Sequence, residues 1–151
     1  MTHLKQGDKA PAFSGKDQNS NTVSLSDFAG SNLVLYFYPK DSTPGCTAQA
    51  CNLRDNYQHL LATGYKVVGV SADNEKSHLK FIEKYNLPFP LIADTDKEIV
   101  KAYGVWGPKK FMGRVFDGIS RTTFIIDPAG FISEIISAVD TKDHTKQILK
   151  A

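Results

Sequence analysis

Cys46 and Cys51 are the only two cysteines among 151 residues. They lie in Pro39-Lys-Asp-Ser-Thr43-Pro-Gly-Cys46-Thr-Ala-Gln-Ala-Cys51, behind the apolar run Leu33-Val-Leu-Tyr-Phe-Tyr38 and at the head of a helical pattern. Pro44 suits the first helical position, which makes Thr43 the N-cap and puts Cys46 at N3. Asp41 or Ser42 would cap instead if the helix began earlier. A capping box carries a carboxylate at N3; here the group is a thiol that can ionise. Free N–H groups and the positive end of the helix dipole both favour its anion. The chemistry indicated is redox chemistry at sulfur.

Ionisation alone does not make a fast catalyst. A free thiol with a pKa of about 8.5 is only a few per cent thiolate at pH 7, so full ionisation gains roughly thirtyfold at most. Lower basicity takes part of that back. The rest must come from groups that hold the electrophile and stabilise the leaving group.

The spacing carries a second inference. Helical residues five apart are separated by about 7.5 Å of rise and roughly 140° of rotation, which puts their Cα atoms about 8–9 Å apart. A disulfide needs about 7 Å or less. If both cysteines are helical they cannot bond until the turn between them unwinds, unlike a Cys-x-x-Cys pair that closes across one turn. The histidines at 3, 59, 78 and 144 complete no familiar zinc-ligand spacing. Arg121 by itself reads as a surface cation, Cys51 by itself as a small buried apolar residue, and Trp106, Phe111 and Phe116 as core or loop anchors.

The elements that must position these thiols alternate between strand and helix. Leu33–Tyr38 and Lys66–Ser71 read as strands buried on both faces. Ala50, Leu53, Tyr57, Leu60 and Leu61 recur at helical spacing up to a stop at Gly64. Glu75–Tyr85 predicts a helix with Leu79, Phe81 and Ile82 towards the core, and Asp96–Tyr103 another. Leu91-Ile92 makes a short strand. Residues 104–118 read as a loop with some extended structure. Arg121–Ile126 and Phe131–Ser137 make two strands joined by the turn Asp127-Pro-Ala-Gly130, and a last helix covers Lys142–Leu149. The polar start, through Phe13 and Val23-Ser24-Leu25, fits a small hairpin feeding the main sheet. The fold class expected is an α/β sandwich on a mixed sheet.

The net charge of +2 and the scattered basic residues exclude a nucleic-acid stripe. No apolar run approaches the ~20 residues of a membrane span, and the first residues lack a signal peptide's apolar core. A cytoplasmic, reducing setting is therefore expected, where two cysteines point to catalysis or metal binding before a permanent staple.

Pro39-x-x-x-Thr43-x-x-Cys46 resembles the signature of the peroxiredoxins, and the match is closer still to the bacterioferritin-comigratory-protein or PrxQ subfamily. Phe37-Tyr-Pro-Lys40, Thr43-Pro-Gly-Cys-Thr47, Gln49-Ala-Cys51, Leu53-Arg-Asp55, Tyr103-Gly-Val-Trp-Gly107, Phe111-Met-Gly113 and Arg121-x-x-Phe-x-Ile-Asp127 all look like that subfamily. The resemblance implies one domain over residues 1–151: a thioredoxin-like three-layer sandwich with a mixed central sheet and an N-terminal hairpin extension. It implies a thiol peroxidase acting on hydrogen peroxide and organic hydroperoxides. Cys46 would be the peroxidatic nucleophile and Cys51 the resolving cysteine. Thr43 and Arg121 would hold the peroxide, and Pro39 would shield the sulfur. Thioredoxin, or a glutaredoxin in some members, would restore the dithiol. The subfamily suggests a monomer or a weak homodimer, and no metal, haem or flavin. Two rival readings use the same sulfur chemistry: a thioredoxin-like disulfide-exchange protein, and a peroxide-sensing redox relay.

Overall fold

The computed structural model describes residues 2–149, excepting the side chain of Phe111, so the anchor expected there lies outside the described residues. Along the chain run β1 (Ser14–Lys16), β2 (Thr22–Ser24), a 3₁₀ turn (Leu25–Phe28), β3 (Asn32–Phe37), α1 (Pro44–Asp55), α2 (Tyr57–Ala62), β4 (Tyr65–Ser71), α3 (Glu75–Tyr85) and β5 (Leu91–Ala93). There follow α4 (Glu98–Ala102), β6 (Trp106–Phe111), β7 (Arg114–Ile119), β8 (Thr122–Ile126), β9 (Ile132–Ile136) and α5 (His144–Leu149).

Strand β3 is the centre of a five-stranded sheet of order β5-β4-β3-β8-β9. It pairs parallel with β4 and antiparallel with β8, so the sheet is mixed as expected. Its side chains alternate between two cores. Leu33, Leu35 and Phe37 join Phe13, Val23, Val100 and Tyr103 on the face covered by the N-terminal hairpin and α4. Val34, Tyr36 and Tyr38 join Cys46, Ala50, Leu53, Leu60, Phe81 and Ile148 on the face covered by the other helices. That double burial is why Leu33–Tyr38 carries no charged residue. Burying one such aromatic fully contributes about 1.5–3 kcal/mol. Tyr36 crosses β4 at Gly69, where a Cβ would meet its ring at 2.8 Å; only glycine leaves that passage open.

Several boundaries differ from those expected. The helix through Ala50–Leu61 is two helices, broken at Asn56, whose side chain donates to Asn52 O at 2.8 Å in competition with the helical ladder. On α3 the buried positions are His78 and Phe81, while Leu79 is 36% exposed. Helix α4 is shorter at its start, because Lys97 takes a left-handed conformation (φ 62°) at the N-cap. The stretch expected as a loop is the β6–β7 hairpin, turned by Met112 and Gly113 with φ of 52° and 78°. The β1–β2 hairpin exists, but as its own two-stranded sheet and not as part of the main one.

Candidate active site

Both cysteines lie on α1 in the free thiol form, Cys46 buried and Cys51 half-buried. Pro44 opens the helix and Thr43 is the N-cap, as the sequence predicts. The Thr43 hydroxyl, however, makes no capping bond; it donates to Lys40 O at 2.9 Å. Among the described residues no side chain thus occupies the open N–H groups of the first turn, and they remain available to an incoming oxygen beside Cys46. Pro39, half-buried, ends β3 ahead of this turn.

Arg121, one residue before β8, reaches back across the sheet end. Its Nη2 donates to Cys46 Sγ at 3.3 Å and its Nη1 donates to Gln49 Oε1 at 2.7 Å. Gly45 makes room for it, since a Cβ there would stand 3.2 Å from Nη2. The structure therefore brings Cys46, Arg121 and the Thr43 turn together, and puts positive charge against the sulfur. Cys51 lies on the same helix but outside this cluster. Both ends of the residue 46–51 stretch are helical, so the five-residue separation stands at about 8–9 Å between Cα atoms.

Three features escaped the sequence reading. Gln49 is fully buried, holds Arg121, and leaves its Nε2 unpaired among the described residues. Its spacing of three from Cys46 puts the two on one helix face, a signal that was present. Lys109 donates to Ile119 O at 2.8 Å; burial, then Arg121, lowers its pKa, with Cys46 acting the other way. No local pattern on β6 announces it.

The third is a buried polar cluster behind the Pro39–Thr43 turn. Asp41 Oδ1 accepts from Tyr38 Oη at 2.6 Å, and Oδ2 accepts from Ser77 Oγ at 2.8 Å with His78 Nδ1 at 2.7 Å. The Asp41 N–H donates to Asp73 Oδ2 at 2.9 Å, which also accepts from Ser71 Oγ at 2.7 Å. His78 Nε2 donates to Ile92 O at 2.9 Å. Asp41, Asp73 and His78 are grouped closely enough to ligate a cation. Both Asp41 oxygens and Asp73 Oδ2 already accept hydrogen bonds within the cluster, so the group serves as an anchor for the turn. Burial, first of all, raises the Tyr38 pKa and keeps the phenol a donor.

Comparison with known proteins places this geometry in context. The AhpC/TSA family pattern matches residues 6–135. A putative peroxiredoxin Bcp of Haemophilus influenzae is 46% identical over 149 residues, covering 99% of this chain and 96% of that protein. The peroxiredoxin Bcp of Escherichia coli is 45% identical with the same coverage. Among solved structures, a cysteine-to-serine variant of Xylella fastidiosa PrxQ superposes with a TM-score of 0.92 at 32% identity, covering 99% of this chain and 96% of that one. The bacterioferritin comigratory protein of Xanthomonas campestris, studied for alkyl peroxide reduction, superposes with a TM-score of 0.85 at 33% identity, covering 91% and 88%.

Proposed function

The chain belongs to the AhpC/TSA family, among the Bcp/PrxQ peroxiredoxins on a thioredoxin-like fold, and from that premise we propose how its own residues carry a thiol-dependent peroxidase cycle. Cys46 is the peroxidatic nucleophile. Its thiolate attacks one peroxide oxygen; the O–O bond breaks, the sulfur loses two electrons, and water or an alcohol leaves with a proton, giving a sulfenic acid. Arg121 and the open N–H groups of the α1 first turn stabilise the charge that moves onto the departing oxygen. The Thr43 hydroxyl orients the peroxide, and Pro39 shields the sulfur.

Cys51 then resolves the sulfenic acid. Its thiolate attacks the Cys46 sulfur, an S–S bond forms, the S–O bond breaks, and the oxygen leaves as water. Because both cysteines are helical, α1 unwinds locally before this step. A dithiol reductant of the thioredoxin type, or a glutaredoxin, returns the disulfide to two thiols. Hydrogen peroxide and alkyl hydroperoxides are the substrates, and the cytoplasm is the setting; no helix among the described residues is long and apolar enough to cross a membrane. We further propose that residues 1–151 form one domain, acting as a monomer or weak homodimer.

The observation that carries this reading is the Arg121 fork, which joins Cys46 Sγ to Gln49 at a helix N-terminus with no capping side chain. The test is peroxide turnover with thioredoxin, thioredoxin reductase and NADPH. Cys46→Ser is expected to abolish it. Cys51→Ser is expected to retain a single stoichiometric oxidation without turnover. Peroxide left untouched by the native protein would favour the disulfide-exchange reading.

A further inference from the structure

Resting on that two-cysteine cycle, we propose that Asp41 and Asn52 are positioning residues that bracket the unwinding segment, confining it to residues 42–51 so that Cys46 travels while Cys51 stays. Neither anchor's side-chain bonds depend on the segment between them. Asp41, only 6% exposed, is held by Tyr38, Asp73, Ser77 and His78. Asn52 is held from the other side. Its Nδ2 donates to Lys142 O at 3.1 Å, its Oδ1 accepts from Thr145 N at 2.8 Å, and its backbone O accepts from Thr145 Oγ1 at 3.4 Å and Asn56 Nδ2 at 2.8 Å. Every one of these partners lies outside 42–51. Leu53, fully buried, reinforces the second anchor.

Unwinding instead breaks the side-chain bonds made from inside the bracket: Cys46 and Gln49 to Arg121, and Thr43 to Lys40. The slack is unequal. Cys51 is one peptide from Asn52, about 3.8 Å between Cα atoms, whereas Cys46 is five residues from Asp41, a reach of up to about 17 Å. Only Cys46 can close the distance without breaking an anchor. Asn52 thereby keeps the resolving thiol at high effective concentration around a sulfenic acid that has left its pocket. Because Asn52 also satisfies an N–H in the first turn of α5, the same bonds keep the C-terminal helix docked through the cycle.

Hydrogen exchange with mass spectrometry on the native protein, reduced and after one equivalent of peroxide, tests the bracket. Protection is expected to fall in peptides covering 42–55, since the amides of 52–55 donate to carbonyls inside the bracket, and to persist in 56–62 and 142–149. Loss spreading into either of the latter overturns the proposal. Asn52→Ala, followed by stopped flow, is expected to leave the first oxidation of Cys46 unchanged. Disulfide formation should slow by about three- to tenfold, with a matching rise in sulfinic acid at fixed peroxide dose. Asn52→Asp, which retains the acceptor for Thr145 N–H, should restore most of the rate. Disulfide formation in Asn52→Ala as fast as native, or faster, overturns the proposal. Native protein that forms no Cys46–Cys51 disulfide would instead remove the cycle itself, and the bracket with it.

Discussion

At the scale of single residues, the guanidinium of Arg121 does two jobs that one charge could not. It donates to the sulfur through Nη2 and is aimed by Gln49 through Nη1. Lysine would supply the charge as a single point, without the fork that fixes its direction. Arg121→Lys is therefore expected to lower kcat/KM for hydrogen peroxide by about 10²–10³, the range found when one oriented donor is removed from a developing oxyanion. Steady-state turnover with thioredoxin saturating checks this; a drop of less than about threefold would show that charge alone suffices. Gly45→Ala is the milder probe. Its Cβ would stand 3.2 Å from Nη2, so the arginine must give way by a few tenths of an ångström. A loss of about two- to tenfold in kcat/KM is expected with the melting temperature nearly unchanged. Cys46 was legible from its place at the head of a helix, whereas Arg121, a surface cation by itself, was singled out only by the resemblance. Asp41 was read only as an alternative cap and Gln49 only as part of a motif, because the partners that give them their roles come from 37 and 72 residues away.

At the scale of elements, α1 must be stable enough to build the pocket and weak enough to open it. Ala48 sits between the cysteines, half-buried. Ala48→Gly costs the helix about 1 kcal/mol, a factor of about five in the unwinding equilibrium. If unwinding limits resolution, disulfide formation should accelerate by that factor, and sulfinic acid at high peroxide should decline accordingly. Quantifying the sulfinate by mass spectrometry checks it; a higher sulfinate yield in the variant would contradict the unwinding step. Helix α5 carries a pH dependence of its own. His144 is buried with Nε2 against Thr123 Oγ1 and Nδ1 donating to Gln147 Oε1. Burial, first of all, lowers its pKa; Arg121 acts the same way, Gln147 and Asp140 oppositely. The fold thus favours the neutral ring, whose stabilising contribution is complete above the ordinary value of about 6.5 and is lost as pH falls below it. Between pH 7.5 and 5.5 the melting temperature of the native protein should fall more than that of His144→Asn. Elements buried on both faces, such as β3 and β4, and the α3 span were legible in the sequence. The β6–β7 hairpin was not: β7 is exposed from Arg114 to Asp117, so neither face imposes an alternating pattern. The break at Asn56 is a side-chain competition that apolar spacing cannot register.

At the scale of the whole molecule, the disulfide should weaken the fold it forms in. A cross-link closing so short a loop stabilises by about 2 kcal/mol in the chain-entropy view. Against it stands the loss of α1 from Pro44 to Cys51. That loss exposes Cys46, Gln49 and Ala50, each at most 1% exposed in the dithiol form, and severs both Arg121 bonds. The buried sites and the charge-assisted bonds together outweigh the cross-link, because each hydrogen bond to a charged group is worth about 1.5–3 kcal/mol. The oxidised protein is expected to melt roughly 3–8 °C below the reduced one, a net of about 1–2 kcal/mol for a chain of this size. The consequence is chemical. Every 1.4 kcal/mol by which the dithiol fold is preferred raises the reduction potential of the pair by about 30 mV. Stability held in α1 then drives the return to the dithiol, and a reductant of the thioredoxin type works downhill. Scanning calorimetry on both redox forms, alongside equilibration of the pair with a thioredoxin of known potential, measures the two sides of this linkage. A disulfide form more stable than the dithiol, paired with a potential below that of thioredoxin, would mean that α1 survives oxidation and that the sulfurs meet by some other movement.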